Sequence, residues 1–99
     1  MELIFKDLIK LWGKPVNQDK IDLNLPIATI STDTRTIEKG NFFVPLVGNK
    51  FDGHDFLDRA FDIGIQGAIV SERFNGSIPT GLLYWVVSDT LYALSLIHI

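Results

Sequence analysis

Two short polar stretches carry the residues of this chain whose types and spacing suit ligand chemistry. Ser31-Thr32-Asp33-Thr34-Arg35 gathers hydroxyls, a carboxylate and a guanidinium at the end of a predicted strand. Arg35 suits a phosphate or a carboxylate, because its planar fork can bond two oxygens at once. Asn49-Lys50-Phe51 combines an amide able to read a base edge, a cation for phosphate and an aromatic face for stacking. Each stretch also has a plainer reading. The first is turn chemistry with surface solvation, and the second is an exposed loop with Phe51 tucked into the core. Asp52, His54 and Asp55 are of metal-binding or acid-base type, but they are compressed into one turn and the other histidine is the distant His98. An Asx-type turn, with a neighbouring carboxylate capping the next helix, accounts for them better than a metal site. Neither a G-x-x-x-x-G-K-[ST] phosphate loop nor a G-x-S-x-G elbow is present, so nothing here supports independent ATP hydrolysis or covalent catalysis.

The elements around these stretches set whether they meet. Ile4, Leu8, Leu11 and Trp12 recur at helical spacing, which predicts an amphipathic helix ended near Gly13 and Pro15. Val16 to Pro26 reads as a loop or a short edge strand. Ile27 to Ile30 begins a strand that runs into Ser31 and Thr32. A turn at Thr36 to Gly40 leads to an apolar strand from Phe42 to Val47, where Pro45 predicts an edge position or a bulge, because proline cannot donate to a central ladder. Phe56, Leu57, Ala60, Phe61 and Ile63 give a helix with one apolar face, closed by Gly64. Ala68 to Val70 and Leu82 to Val87 are further strands, separated by a loop over Arg73 to Gly81. Ser88 or Asp89 is placed to cap a last helix through Leu91, Ala93 and Leu94. Helices interleaved with strands predict an α/β domain, a small mixed sheet with flanking helices. The short link from Asp33 to Asn41 suits an antiparallel pair, which could separate the two polar stretches, whereas parallel strands would place both at one end.

The whole chain bounds what such a site can serve. Ninety-nine residues make one domain, residues 1–99, able to bury roughly 60–65% of its unfolded surface. A hydrophobic fraction of 46% and a charged fraction of 21% are those of a globular chain. A formal net charge of −3 argues against a nucleic-acid partner, since binding to a phosphate backbone needs a surplus of Lys and Arg. With no cysteine, disulfides and thiolate chemistry are excluded. The N-terminus lacks the basic region and cleavage site of a signal peptide, and no apolar run approaches the ~20 residues that span a bilayer. The reading is a soluble protein without a membrane partner. The apolar ending Leu94-Ser95-Leu96-Ile97-His98-Ile99 needs something to cover it, which predicts a truncated chain. That hexapeptide is also what a transposon-end sequencing adapter encodes in one frame, so natural sequence is expected to stop before it.

Taken in order, Ser31-Thr32-Asp33-Thr34-Arg35, Gly40-Asn41-Phe42-Phe43-Val44, Gly48 and Phe51-Asp52-Gly53-His54-Asp55-Phe56, continued by Ala60, Gly64, Ala68, Val70, Val87, Asp89, Thr90 and Ala93, resemble the N-terminal domain of the Mur ligases, which build the peptidoglycan precursor in the cytoplasm. The resemblance covers about Ile27 to Ala93. It looks most like the ligase that adds D-alanyl-D-alanine, with the ligase adding the third amino acid as the near rival. It implies a domain that holds the uridine end of a UDP-N-acetylmuramoyl-peptide, with Thr32, Thr34 and Arg35 on one wall and Asn49, Lys50 and Phe51 on the other. It also implies a parent enzyme that uses ATP and magnesium in a central and a C-terminal domain, joined in cis and absent here. No catalytic residue, metal ligand or cofactor site is implied within this chain. Pro45 and Ile65-Gln66 depart from the family pattern. A different reading keeps the domain as a non-catalytic interaction module that docks a partner through its apolar last helix.

Overall fold

Apolar side chains alternate along two adjacent strands in this protein, and that alternation divides its core in two. In the computed structural model, which describes residues 3–16 and 22–97, the chain runs α1 (Phe5–Trp12), β1 (Ile30–Ser31), β2 (Phe42–Phe43), a 3-10 turn (Gly53–Phe56), α2 (Leu57–Ile63), β3 (Gly67–Ser71), β4 (Tyr84–Val87) and α3 (Thr90–Ile97). The strands lie in the order β1-β2-β3-β4, and all three ladders are parallel. Phe42, Val44, Ile69, Trp85 and Val87 pack on one face with Phe5 and Leu8 of α1 and Ala93 and Ile97 of α3. Phe43, Ala68 and Val70 pack on the other face with Ile37 and with Leu57 and Ala60 of α2. A parallel sheet covered on both faces by helices is the α/β architecture that the interleaved pattern predicts. Among the described residues, antiparallel pairing is confined to isolated bridges, such as Val16 with Tyr84 and Ile4 with Pro26.

Local signals account for the helix ends. Asp7 accepts from the Ile4 backbone N–H at 2.9 Å and so closes the start of α1. Asp89 accepts from the backbone N–H groups of Leu91 and Tyr92 at 2.9 and 3.3 Å, the cap expected for α3. Gly64, at φ 99°, ends α2 in the left-handed conformation, with its N–H directed to Ala60 and Phe61. No helix among the described residues is long and apolar enough to cross a membrane.

The structure decides two questions about β2. Of the two senses left open for the short link, it takes the parallel one: a crossover from Ser31 to Phe42, with Ile30 opposite Phe42 and Ser31 opposite Phe43. Because β1 and β2 are two residues each, the crossover has only ~7 Å of strand to retrace, so a short link suffices; it buries Ile37 on the way. Pro45 does not put β2 at an edge, since β2 lies between β1 and β3. The last N–H of this segment to reach β1 is that of Val44, which donates to Ser31 O at 2.9 Å, so the ladder ends one residue before proline would interrupt it. The strand expected over Ile27–Thr32 is likewise shorter. Its approach is held by Gln66, whose Oε1 accepts from Ala28 N–H at 3.0 Å and whose Nε2 donates to Pro26 O at 2.8 Å. Of the Val16–Pro26 segment, residues 17–21 lie outside the described residues.

Trp85 is the largest fully buried side chain. It meets Phe5 edge-on, with ring centroids 5.8 Å apart, and donates from Nε1 to Gly13 O at 2.8 Å, so it bonds α1 to β4 through both packing and a hydrogen bond. Trp85→Ala is expected to cost about 3–5 kcal/mol of stability. Trp85→Phe should cost about 1–3 kcal/mol, for the Gly13 carbonyl left without its donor. Urea midpoints of the two variants check this, and a Trp85→Phe variant as stable as the unsubstituted protein would show that the indole N–H contributes nothing.

Candidate functional site

Because β1 and β2 are parallel, the polar stretches that follow them emerge at the same end of the sheet. There they border a cavity of about 610 Å³, lined by Thr32, Asp33, Thr34, Arg35, Phe43, Leu46, Phe51, Gly53, Phe56 and Arg59. Crevices beyond the carboxyl ends of parallel strands are where open α/β sheets bind ligands.

One wall is a turn organised by Asp33. Its Oδ1 accepts the Arg35 backbone N–H at 2.8 Å, and its two carboxylate oxygens accept Arg35 Nε at 3.1 Å each, with Nη2 reaching Oδ2 at 2.8 Å. The Arg35 side-chain hydrogen bonds, followed by its backbone N–H, hold the Asp33 carboxyl below its ordinary pKa. Asp33 in turn raises that of Arg35. The fork expected to clasp an anion is therefore already joined to a carboxylate of its own turn. Ser31 Oγ donates to Asp33 O, as does Thr36 Oγ1. The hydroxyls of Thr32 and Thr34 make no such bond among the described residues, and both side chains line the cavity.

The facing wall is aromatic. Phe51 is 50% exposed, so it is not tucked into the core, and it leans on Phe56 with centroids 5.8 Å apart. Asn49 and Lys50 do not line the cavity. The reason is a tight turn: Gly48 N–H donates to Phe51 O at 2.6 Å and Val47 bridges Asp52, which leaves Asn49 and Lys50 exposed at the tip. Four of the six residues singled out by sequence thus share the cavity, and two stand outside it. Sequence reasoning passed over Phe56 and Arg59; their spacing, one helical turn apart just after the Asp-Gly-His-Asp run, was the available signal.

The second wall is anchored by His54, whose side chain is 1% exposed. The Ser71 backbone N–H donates to Nε2 at 2.9 Å, so Nδ1 carries the ring hydrogen and donates to Asp52 Oδ1 at 2.6 Å. Asp52 Oδ1 also accepts the His54 backbone N–H at 2.9 Å, the Asx turn expected from the sequence. Gly53 sits so close to Pro45 and Leu46 that a Cβ there would lie 2.8 Å from the Leu46 nitrogen. His54, Asp52 and Ser71 also border a second cavity of about 560 Å³ at the ends of β3 and β4. No group of three metal-ligating side chains occurs among the described residues, and the chain has no phosphate-loop motif. The residues lining the cavity do not fit ATP with magnesium; they offer hydroxyls, an aromatic face and arginines.

Comparison with known proteins agrees with this fold. No protein-family model matches the chain. It is 40% identical over 65 residues to the UDP-N-acetylmuramoyl-tripeptide--D-alanyl-D-alanine ligase of Bacillus subtilis, covering 66% of this chain and 14% of that protein. It is 37% identical over 64 residues to UDP-N-acetylmuramoyl-L-alanyl-D-glutamate--2,6-diaminopimelate ligase 2 of Clostridium acetobutylicum, covering 65% and 13%. The solved D-alanyl-D-alanyl ligase of Acinetobacter baumannii superposes with a TM-score of 0.69 at 32% identity, over 95% of this chain and 20% of its own. The chain has the sequence and fold of a Mur ligase N-terminal domain. It spans about one seventh of the length of the curated relatives it matches.

The carboxylate of Asp52 gives a test of the second wall. Burial pushes it up, but the hydrogen bonds from the His54 backbone N–H and ring outweigh burial and leave the carboxyl below its ordinary value of 3.8. A carboxyl depressed on folding adds stability that is present above its unfolded pKa and lost as pH falls through the folded one. Asp52→Ala should lower stability at neutral pH by about 1 kcal/mol, the usual worth of a cap. Followed by urea midpoints from roughly pH 5 to pH 3, its deficit against the unsubstituted protein should shrink; a constant deficit would remove the charge from the account.

Proposed function

We propose that this domain binds the uridine-nucleotide end of a UDP-N-acetylmuramoyl-peptide within an ATP-dependent ligase that adds D-alanyl-D-alanine during peptidoglycan precursor synthesis. The observation that carries the reading is the pairing, across one cavity, of two unengaged threonine hydroxyls with a half-exposed phenylalanine. A hydroxyl both donates and accepts, and so can serve the mixed donor and acceptor edge of uracil or the ribose hydroxyls. The Phe51 face stacks on the flat base. Likeness to the D-alanyl-D-alanine ligases in sequence and in fold supports the choice of reaction. The ligase that adds the third amino acid is the second reading, favoured by the match to a diaminopimelate ligase. Both share the uridine end of the substrate, which is the part this cavity would hold. ATP, magnesium and the amide-forming step belong to the remainder of the ligase, joined in cis.

Titrating UDP-N-acetylmuramoyl-tripeptide into isotope-labelled protein should shift the Thr34 and Phe51 amide signals. Unmoved signals at saturating ligand would sink the reading. Thr34→Val, whose side chain holds nothing else in place, should weaken UDP binding about threefold to tenfold, the loss of one neutral hydrogen bond.

A further inference from the structure

We propose that Arg59, and not Arg35, is the cation that holds the diphosphate in this cavity. The inference rests on the uridine-nucleotide reading and adds a residue to it. A diphosphate needs donors whose charge is not already matched and whose N–H groups are still available. Arg35 fails the first need and meets the second only in part, because the Nε edge of its fork is spent on its own turn. Both Nε and Nη2 are directed to Asp33, and the carboxylate offsets the guanidinium charge. Arg59 lines the same cavity from α2 and forms no ion pair among the described residues, although Asp55, Asp58 and Asp62 lie on the same turn and helix. Of the charged side chains lining the cavity, Asp33 and Arg35 cancel, and Arg59 supplies the charge that remains.

Its place in the helix suits that role. Phe56 is the residue from which α2 starts, Arg59 lies in the first turn of that helix, and both line the cavity. A base against the Phe51–Phe56 pair therefore has a guanidinium beside the aromatic surface rather than across the cavity from it. Arg35 is left with a different job, in which its ion pair with Asp33 fixes the shape of the turn that presents Thr32 and Thr34. The polar stretch that reads as the anion site is thus the hydroxyl wall, and the anion site is on the helix.

The test compares uridine with UDP by calorimetric titration, using the unsubstituted protein, Arg59→Gln, Arg35→Gln and, as a charge control on the opposite face of the sheet, Lys10→Gln. Arg59→Gln should weaken UDP about tenfold or more, the range for a hydrogen bond to a charged group, and leave uridine within about twofold. Because Arg59 is exposed and makes no side-chain bond within the described residues, urea midpoints should confirm an intact fold. Arg35→Gln should weaken both ligands to a similar extent, and Lys10→Gln neither. Equal losses of uridine and UDP in Arg59→Gln, no loss at all, or a UDP-selective loss in Arg35→Gln would overturn the assignment while leaving the nucleotide reading in place. Failure of the unsubstituted protein to bind either ligand would overturn both.

Discussion

The imidazole of His54 is the interaction on which the ligand-facing end of this fold depends. Along β3, the N–H groups of Ala68 and Glu72 point to β4, where they meet Leu83 O and Val87 O. The N–H of Ser71 therefore points the other way, toward β2, whose pairing has already ended at Phe43 with Ala68. A buried backbone donor without a partner costs about 1–3 kcal/mol. His54 Nε2 takes the place of the missing strand. That bond settles the tautomer, and the tautomer gives Asp52 its ring donor. Stacking on Phe74, with centroids 5.0 Å apart, closes the remaining ring face. One side chain thus terminates β3, shapes the 3-10 turn and sets where α2 begins, and with it Phe56 and Arg59.

The brevity of β1 and β2 is the complementary constraint. Longer strands would need a longer crossover and would carry the ladder into Pro45, which has no N–H to give. By stopping at Phe43, β2 leaves Pro45 and Leu46 free to turn, and the chain folds back so that Leu46 O accepts the N–H of Gly53 at 2.8 Å. The cavity opens where the ladder stops. Gln66 has the matching role for β1, since its two side-chain bonds to Pro26 and Ala28 fix the approach of a strand too short to locate itself. A residue that departs from the family pattern in sequence is here part of the frame.

Local signals in the sequence were read well because they act locally. Gly13, Gly64 and Asp89 end or begin helices by backbone conformation or by a hydrogen bond a few residues away, and the apolar spacing of α1 and the α2 face needs only a helical period to be recognised. What sequence did not reveal depends on partners far along the chain. The parallel sense of β1 and β2 is that of the β2–β3 and β3–β4 ladders on which they are built, and those partners are not visible in the Asp33–Asn41 link. The same holds for the site. Thr32, Thr34 and Phe51 were legible by type, but the exclusion of Asn49 and Lys50 depends on a hydrogen bond across the turn that composition does not report. Arg59 was missed because it sits in a stretch whose evident pattern is its apolar face.

If the proposed diphosphate site stands, the electrostatics of the cavity explain why net charge is a poor guide to an anion site. The chain is acidic overall, at −3, yet at physiological ionic strength exposed charges are screened over about 8 Å. A bound diphosphate would respond to the few groups that line the cavity. There, an acid and a base two residues apart in one turn do not simply dilute the positive field. Arg35 is exposed and Asp33 partly so, and such pairs add little to stability. Their effect is geometric: together with the backbone N–H of Arg35 on the same carboxylate, the pair restricts the turn and keeps the threonine hydroxyls out of internal hydrogen bonds. On the proposed reading, an arginine engaged in this way organises the recognition of the neutral part of a nucleotide, and charge recognition falls to a cation that the turn leaves unmatched.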